Sequence, residues 1–315
     1  VPVPRHALLL TAGLGTRLRP LTLVRAKPAI PVGGVPLVRR IVSWLVANGV
    51  TDLVANLHHL PATLTGVLGD GSDLGASVRY SWEQPVVLGS AGGPRLALPI
   101  VGADRFFILN GDTLTDVDLH ALAAAHASSG ALVTMALIPN PDPQKYGGVQ
   151  LAGDRTVAGF LRAPATNRSF HFVGVQLVEA AAFLSLPAGQ VASSVGGVYD
   201  ELMSSRPGSV KGFVADGASF VDIGTVADYW RIARVSGATT AAGLPPDPPQ
   251  LAPDARLTRS VVWDHVRIGA GATVDECIVT DNVSVPPGAS HHRQILLSTA
   301  AGDVSAIPFW APGMG

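Results

Sequence analysis

Apolar and polar positions follow two rhythms along this chain. In the first part, short apolar runs of strand length recur at 6–11 (HALLLT), 52–57 (DLVANL), 77–82 (SVRYSW), 106–110 (within RFFILN), 131–138 (ALVTMALI), 171–178 (HFVGVQLV) and 210–215 (VKGFVA). The first of them ends in a glycine-rich segment, as the buried opening strand of an α/β sheet does. Helical patterns lie between several of the runs. Across Pro36–Asn48, proline suits the first turn, Leu37, Ile41 and Leu45 share a face, and Gly49 suits the stop. The Ala- and Leu-rich stretch 118–128 predicts another helix. Alternating strands and helices predict a Rossmann-like α/β fold: a mostly parallel sheet flanked by helices.

The rhythm changes at 241–253, AAGLPPDPPQLAP, where five prolines preclude a continuous helix or a central strand and predict a linker. Beyond it, VRIGAGA at 266–272 and VSVPPGA at 283–289 share a frame offset by 17 residues, and Val262, Ile268 and Val274 recur every six. That period, with turns at glycine, predicts a short left-handed, hexapeptide-type β-helix of roughly two coils. Repeat arrays need about three units to stand alone, so this one is expected to pack on the larger domain or on another copy of the chain, giving a homo-oligomer. The domains then read 1–240, a linker at 241–253, and 254–315. Trp263 and Trp310 are expected to bury the small C-terminal domain.

Composition narrows the partners. With 47% hydrophobic and 14% charged residues and a net charge of −1, the chain reads as globular and has no basic field to hold a nucleic-acid backbone. An anionic ligand must therefore be held locally. Cys277 is the only cysteine, no apolar run approaches bilayer length, and the start shows no secretory pattern. The expectation is a cytoplasmic chain without a membrane partner.

The candidate chemistry begins at Thr11–Thr22, TAGLGTRLRPLT. Gly13 and Gly15 let the backbone approach a ligand closely, with successive N–H groups free to face phosphate oxygens. Arg17 adds a planar cation suited to phosphate, and Lys27, in AKPAIPV, adds a compact one. A Walker loop is absent, and a dinucleotide fingerprint fails at Leu18, where its third glycine belongs. A solvated glycine turn with surface cations is the plain alternative. Asp112 follows an apolar strand in FFILNGDTLTD, at the strand end where α/β sheets bind ligands, although N-G is also a turn signal. Asp222 stands in SFVDIGTVADYW, before a helix over 225–233 that Thr225 would cap.

Taken together, G-x-G-T-R-L-x-P-L-T, the following K-P, N-G-D and D-I-G-T resemble the signatures of the nucleotide-sugar pyrophosphorylases, the sugar-1-phosphate nucleotidyltransferases. The C-terminal repeats match the tail of the mannose-1-phosphate guanylyltransferase-like branch. The resemblance implies that Ala12, Gly13, Gly15, Thr16 and Arg17 bind the phosphates of a nucleoside triphosphate, joined by Lys27. It implies that Asp112 and Asp222 hold Mg²⁺, two hard oxygen ligands with the remainder supplied by substrate phosphates. LGSAGG at 88–93 resembles the family's L-G-T-A-G, implying that Gly89, Ala91 and Gly92 lie against the nucleoside. Glu83 and Gln84 are near enough in sequence to reach a base or ribose, a solvated loop end being the alternative.

Around the sugar, Tyr146-Gly147-Gly148 resembles the family's Y-G segment, and Gly174 is kept. Two positions depart. Arg162-Ala163-Pro164 stands where many members have E-K-P, leaving Arg162 to bind the sugar phosphate, and Phe172 stands where asparagine is usual. The expected reaction joins an NTP, GTP favoured, to a sugar-1-phosphate, mannose-1-phosphate favoured, releasing pyrophosphate. UTP- or dTTP-dependent transfer, or a non-catalytic nucleotide-sugar-sensing subunit, are the alternatives. His58–His59 and His291–His292 lack the i, i+4 zinc spacing and read as surface or loop histidines.

Overall fold

The computed structural model describes residues 2–165, 169–235 and 248–309. Trp310 and residues 241–247 of the proline-rich stretch lie outside them. Strands β1 (His6–Leu10), β2 (Asp52–Leu57), β3 (Ser77–Trp82) and β4 (Arg105–Asn110) form the parallel half of the main sheet, in the order β4-β1-β2-β3. Ala7, Leu8, Leu9, Leu53, Val54, Phe106, Phe107 and Ile108 are all buried, so both faces of the inner strands are covered. β1 stops at Leu10, one residue before the expected end, because the next amides leave the ladder: Thr11 and Ala12 N–H both donate to the Asn56 side chain.

The other half contains two reversed strands. β5 (Val133–Pro139), β6 (Gly148–Leu151) and β7 (Val157–Leu161) are joined to the rest by β8 (Phe170–Glu179), which runs antiparallel to β4, β5 and β6. β9 (Val210–Val214) lies parallel to β5. The sheet is therefore mixed, and the reason is local. β6 and β7 are joined only by residues 152–156, which suffices for a hairpin and not for a parallel crossover. Gly174, at φ +78°, marks the place where β8 changes register against β5.

Helices α1 (Leu37–Ala47), α2 (Pro61–Leu68), α3 (Gly89–Val101), α4 (Leu119–Ser129), α5 (Tyr199–Ser205) and α6 (Val226–Val235) connect these strands and follow them. α4 begins where Asp118 Oδ1 accepts from Ala121 N–H at 2.9 Å, and it ends at Gly130 in the left-handed region.

From Gln250 onward stand three short parallel sheets whose paired residues are 17 apart: Gln250, Arg267 and Ser284; Arg256, Thr273 and Ser290; Val261, Ile278 and Ile295. This is a β-helix with three rungs on each face, one more than the repeat suggested, because the first rung begins inside the proline-rich stretch at Gln250. Ile268, Val274, Cys277, Val279, Val285 and Leu296 fill its interior. Its corners repeat at the same interval, with Asp254, Gly271 and Gly288 at φ between 62° and 70° and Arg259, Glu276 and Arg293 between 46° and 52°. A final strand, Val304–Pro308, folds back antiparallel on Gln294–Ser298.

The chain divides into two compact units: Val1–Gly13 with Arg40–Val221, and Leu14–Arg39 with Asp222–Gly315. Most of the signature loop thus belongs with α6 and the β-helix.

Candidate active site

In the first unit, a buried polar chain shapes the carboxyl ends of β1 and β2. Asn56 Oδ1 accepts from Thr11 N–H at 2.5 Å and Ala12 N–H at 3.1 Å, while the Thr11 hydroxyl donates to the Asn56 carbonyl. Asn56 Nδ2 donates to Glu83 Oε1 at 2.6 Å, and Glu83 Oε2 accepts from Leu88 N–H at 2.7 Å. Glu83 is 0% exposed, so it is not the base- or ribose-reaching residue that its place in the sequence allowed. It ties the start of the glycine-rich loop to the start of α3. Gly93 makes room for it: a Cβ there would lie 2.3 Å from Glu83 Oε1.

The LGSAGG segment opens α3 against residues 190–194. Ala91 and Gly92 N–H donate to the Ala192 carbonyl at 3.0 and 3.3 Å, and a Cβ on Gly92 would meet Gln190 O at 2.2 Å. Gly89, at φ +80°, would meet Ala192 O at 2.6 Å. Ser90 Oγ accepts from Ser194 N–H at 2.8 Å. These glycines are required by chain packing, on the faces that point at 190–192.

Asp112 lies just past β4, half-buried, with Thr113 Oγ1 at 3.3 Å from its Oδ1. Gly111 N–H donates to the Leu10 carbonyl at 3.0 Å, which fixes the turn beside β1. Gly174 presses on Asn110, its absent Cβ 2.7 Å from Asn110 Nδ2. Gly147 is exposed and Gly148 buried, both packed closely against neighbouring chain. Tyr146, His171 and Phe220 form a ring cluster with centroids 4.5 to 5.6 Å apart. Burial holds the His171 imidazole below its ordinary range, against an opposing hydrogen bond with the Gly147 backbone. Arg162 is exposed on the segment after β7.

In the second unit, Gly15 sits at φ +60° with its Cα against Thr22 and Lys27; a Cβ would meet Thr22 Cγ2 at 2.7 Å and Lys27 Cβ at 3.3 Å. Thr22 Oγ1 donates to Gly15 O at 2.9 Å and closes the loop. Thr16 and Arg17 are exposed, Lys27 half-buried. The D-I-G-T turn brings charges together: a Cβ on Gly224 would lie 2.8 Å from Asp222 Oδ2, 3.4 Å from Arg17 Nη1 and 3.5 Å from Asp228 Oδ2. Arg17 and Asp222, separated by some two hundred residues, thus meet around one glycine. Asp228 escaped the sequence reading, although the spacing Thr225-x-x-Asp228 signals it. Thr225 N–H and hydroxyl donate to Asp228 Oδ2 at 3.2 and 3.0 Å, and Asp228 N–H donates back to Thr225 Oγ1 at 3.1 Å, a capping box that opens α6 at the expected cap.

Among the described residues, no group of three or more His, Cys, Asp or Glu side chains is gathered to hold a metal ion by itself. Asp112 and Asp222 are each hard carboxylate donors of the type Mg²⁺ takes, with water and substrate phosphate completing its shell. The histidine pairs are engaged locally: His58 Nδ1 donates to the Glu83 carbonyl at 2.8 Å, and His291 and His292 pair with Gln294 and Asp275. Among the described residues, no helix is long and apolar enough to cross a membrane.

The mixed sheet and its flanking helices share the fold of HddC from Yersinia pseudotuberculosis (TM-score 0.62, 22% identity, 73% of this chain and 98% of that one). The nucleotidyl transferase family model matches residues 6–237, and the chain belongs to that family, the sugar-1-phosphate nucleotidyltransferases. It is similar to a mannose-1-phosphate guanylyltransferase of Mycobacterium tuberculosis, 30% identical over 91% of this chain and 83% of the relative. It is also similar to an N-acetylmuramate alpha-1-phosphate uridylyltransferase of Neisseria meningitidis, 33% identical over 74% of this chain and 98% of the relative.

Proposed function

We propose that this sugar-1-phosphate nucleotidyltransferase transfers guanylyl from GTP to mannose-1-phosphate, releasing pyrophosphate. The observation that carries the substrate choice is the reach of the likeness to the mycobacterial guanylyltransferase, which extends over 91% of this chain. The uridylyltransferase relative matches 74%. UTP with another sugar-1-phosphate is the second reading, favoured by that relative's name and by the absence of the usual E-K-P at Arg162–Pro164.

A sugar phosphate has its second pKa near about 6, so near neutral pH its oxygen is already a nucleophile. That oxygen forms a bond to the α-phosphorus while the bond to the β-phosphate oxygen breaks, inverting the α-phosphorus and releasing pyrophosphate. The protein's work is alignment and charge. Arg17 and Lys27 neutralise the departing pyrophosphate, and the backbone of Ala12–Thr16 lines the phosphates. The nucleoside meets Gly89, Ala91 and Gly92 on faces not taken by 190–192, and Gly147, Gly174 and Arg162 serve the sugar phosphate. Asp112 and Asp222 would hold Mg²⁺, whose chemistry is to screen phosphate charge and keep the reacting groups in line.

The test is pyrophosphate release with Mg²⁺ for four NTPs crossed with a panel of sugar-1-phosphates. GTP with mannose-1-phosphate is expected to dominate. A stronger signal for UTP or dTTP with another sugar replaces the substrate assignment. Silence from a folded protein that still binds NTP moves it to a sensing role.

A further inference from the structure

The buried cation of the second unit lies outside the phosphate-binding residues named above. Arg25 is buried and stands two residues before Lys27. Its guanidinium reaches the β-helix: Nε and Nη2 donate to the two oxygens of Asp281, each at 2.6 Å, and Nη2 also meets Asp264. Asp264 and Asp281 occupy successive coils, 17 residues apart, and Asp264 N–H donates to Asp281 Oδ1 at 3.1 Å, which fixes the pair. The guanidinium carbon stands 5.4 Å from the centre of the Trp263 ring. Nη1 turns the other way and donates to the Ala29 carbonyl at 3.4 Å, on the far side of Lys27.

A second tie lies a few residues on. Trp263 Nε1–H donates to Tyr229 Oη at 2.8 Å, and Tyr229 Oη–H donates to the Pro31 carbonyl at 2.8 Å. Trp263 and Tyr229 are both 0% exposed, and Tyr229 follows Asp228 on α6. Lys27 is therefore carried on a short 3₁₀ turn, Lys27–Ala29, pinned before it by Arg25 to the β-helix and after it by Pro31 to Tyr229 of α6, which is itself bonded to Trp263. The same coil supports the helix whose cap stands beside Asp222 and Arg17.

We propose that Arg25 is a positioning residue for nucleotidyl transfer: clasped by Asp264, Asp281 and Trp263, it sets Lys27 against the triphosphate, so the β-helix is part of the nucleotide site's frame. This rests on the role given to Lys27 above. It assigns the C-terminal coils a function that packing alone does not. Neither aspartate is placed on a substrate, and an error of about 1 Å in a phosphate-binding cation is enough for a loss of up to about a hundredfold.

The experiment compares Asp264→Asn, Asp281→Asn and Arg25→Lys with the unaltered chain, reading KM for NTP, KM for sugar-1-phosphate, kcat and the melting transition. NTP affinity is also measured directly by titration calorimetry with Mg·NTP, which needs no turnover. The expected result is a tenfold or greater fall in kcat/KM for NTP in each aspartate variant, roughly, with an unchanged KM for the sugar phosphate. Arg25→Lys, keeping charge but losing the fork, is expected to recover part of it. Cooperative melting with unaltered NTP parameters overturns the proposal, as does loss of cooperative folding in all three variants, which would make the cluster structural only. If the unaltered chain binds NTP but transfers nothing, the functional reading fails while the calorimetry still decides the clasp.

Discussion

At Gly224 the Asp222 carboxylate, the Asp228 carboxylate and the Arg17 guanidinium surround the place of a missing side chain. Gly224→Ala is a one-methyl test of whether that convergence matters. The backbone there is not in the left-handed region, so alanine brings no strain of its own. The methyl would stand 2.8 Å from Asp222 Oδ2, and the carboxylate or the guanidinium must give way. The expected outcome is a loss of about tenfold or more in kcat, with near-native melting. A fully active variant would show that these two groups need no fixed spacing. At this scale the motifs singled out Arg17 and Asp222, which the fold brings together at Gly224, whereas proximity in sequence alone is a weaker guide. Glu83 stood beside a glycine-rich segment and invited a ligand role, but burial and the partners Asn56 and Leu88, set by pairing between distant strands, make it a strut.

Helix α4 carries a buried titratable group that no proposed chemistry uses. His126 is buried beneath it, and burial holds its imidazole below the ordinary range, opposed by the hydrogen bond to Glu179. In the neutral form Nε2–H donates to Glu179 Oε1 at 3.1 Å, and Nδ1 accepts from the Thr134 hydroxyl at 2.8 Å. An unfolded chain takes up a proton near about pH 6.5 that the folded chain refuses. The stability present above that pH is therefore lost as pH falls below it toward the depressed folded value, at no more than about 1.4 kcal/mol per pH unit. Urea unfolding at pH 7.5 and 5.5 checks this: His126→Gln should be less stable at pH 7.5 but lose less on acidification. An equal loss in both proteins would place the acid sensitivity elsewhere. Elements such as α4 and β2 were legible to within a residue or two, since their apolar spacing is set by the faces they bury. The β6–β7 hairpin was not. GVQL and VAGFL are short and only partly buried, so no apolar run announces them, and the reversal of β7 is decided by the length of its link to β6.

The division of the chain into units bears on the proposed nucleotide site. Residues 14–39, with Arg17 and Lys27, belong with α6 and the β-helix, a grouping invisible in a sequence where they lie more than two hundred residues from the coils. The 17-residue repeat was readable because each coil must stack its apolar positions on the next; the clasp was not, because Asp264 and Asp281 look like ordinary turn residues until the coil places them together. If the unit opens as one piece, ligand on its loop must also slow opening of its coils. A nucleotide at about one hundred times its dissociation constant stabilises the bound form by about 2.7 kcal/mol, a hundredfold slowing of exchange for amides that open only with release. Hydrogen exchange with and without Mg·NTP is therefore expected to protect not only Leu18 and Val24 but also Trp263, whose N–H donates to Val279 O at 2.9 Å, and Thr280, whose N–H donates to Leu296 O at 3.0 Å. Gly302, in the hairpin turn beyond the last rung, should be unaffected, because its opening breaks only a bond to Thr299. Protection confined to the loop would mean that loop and coils open separately, and the β-helix would then be a passenger of the nucleotide site rather than its frame.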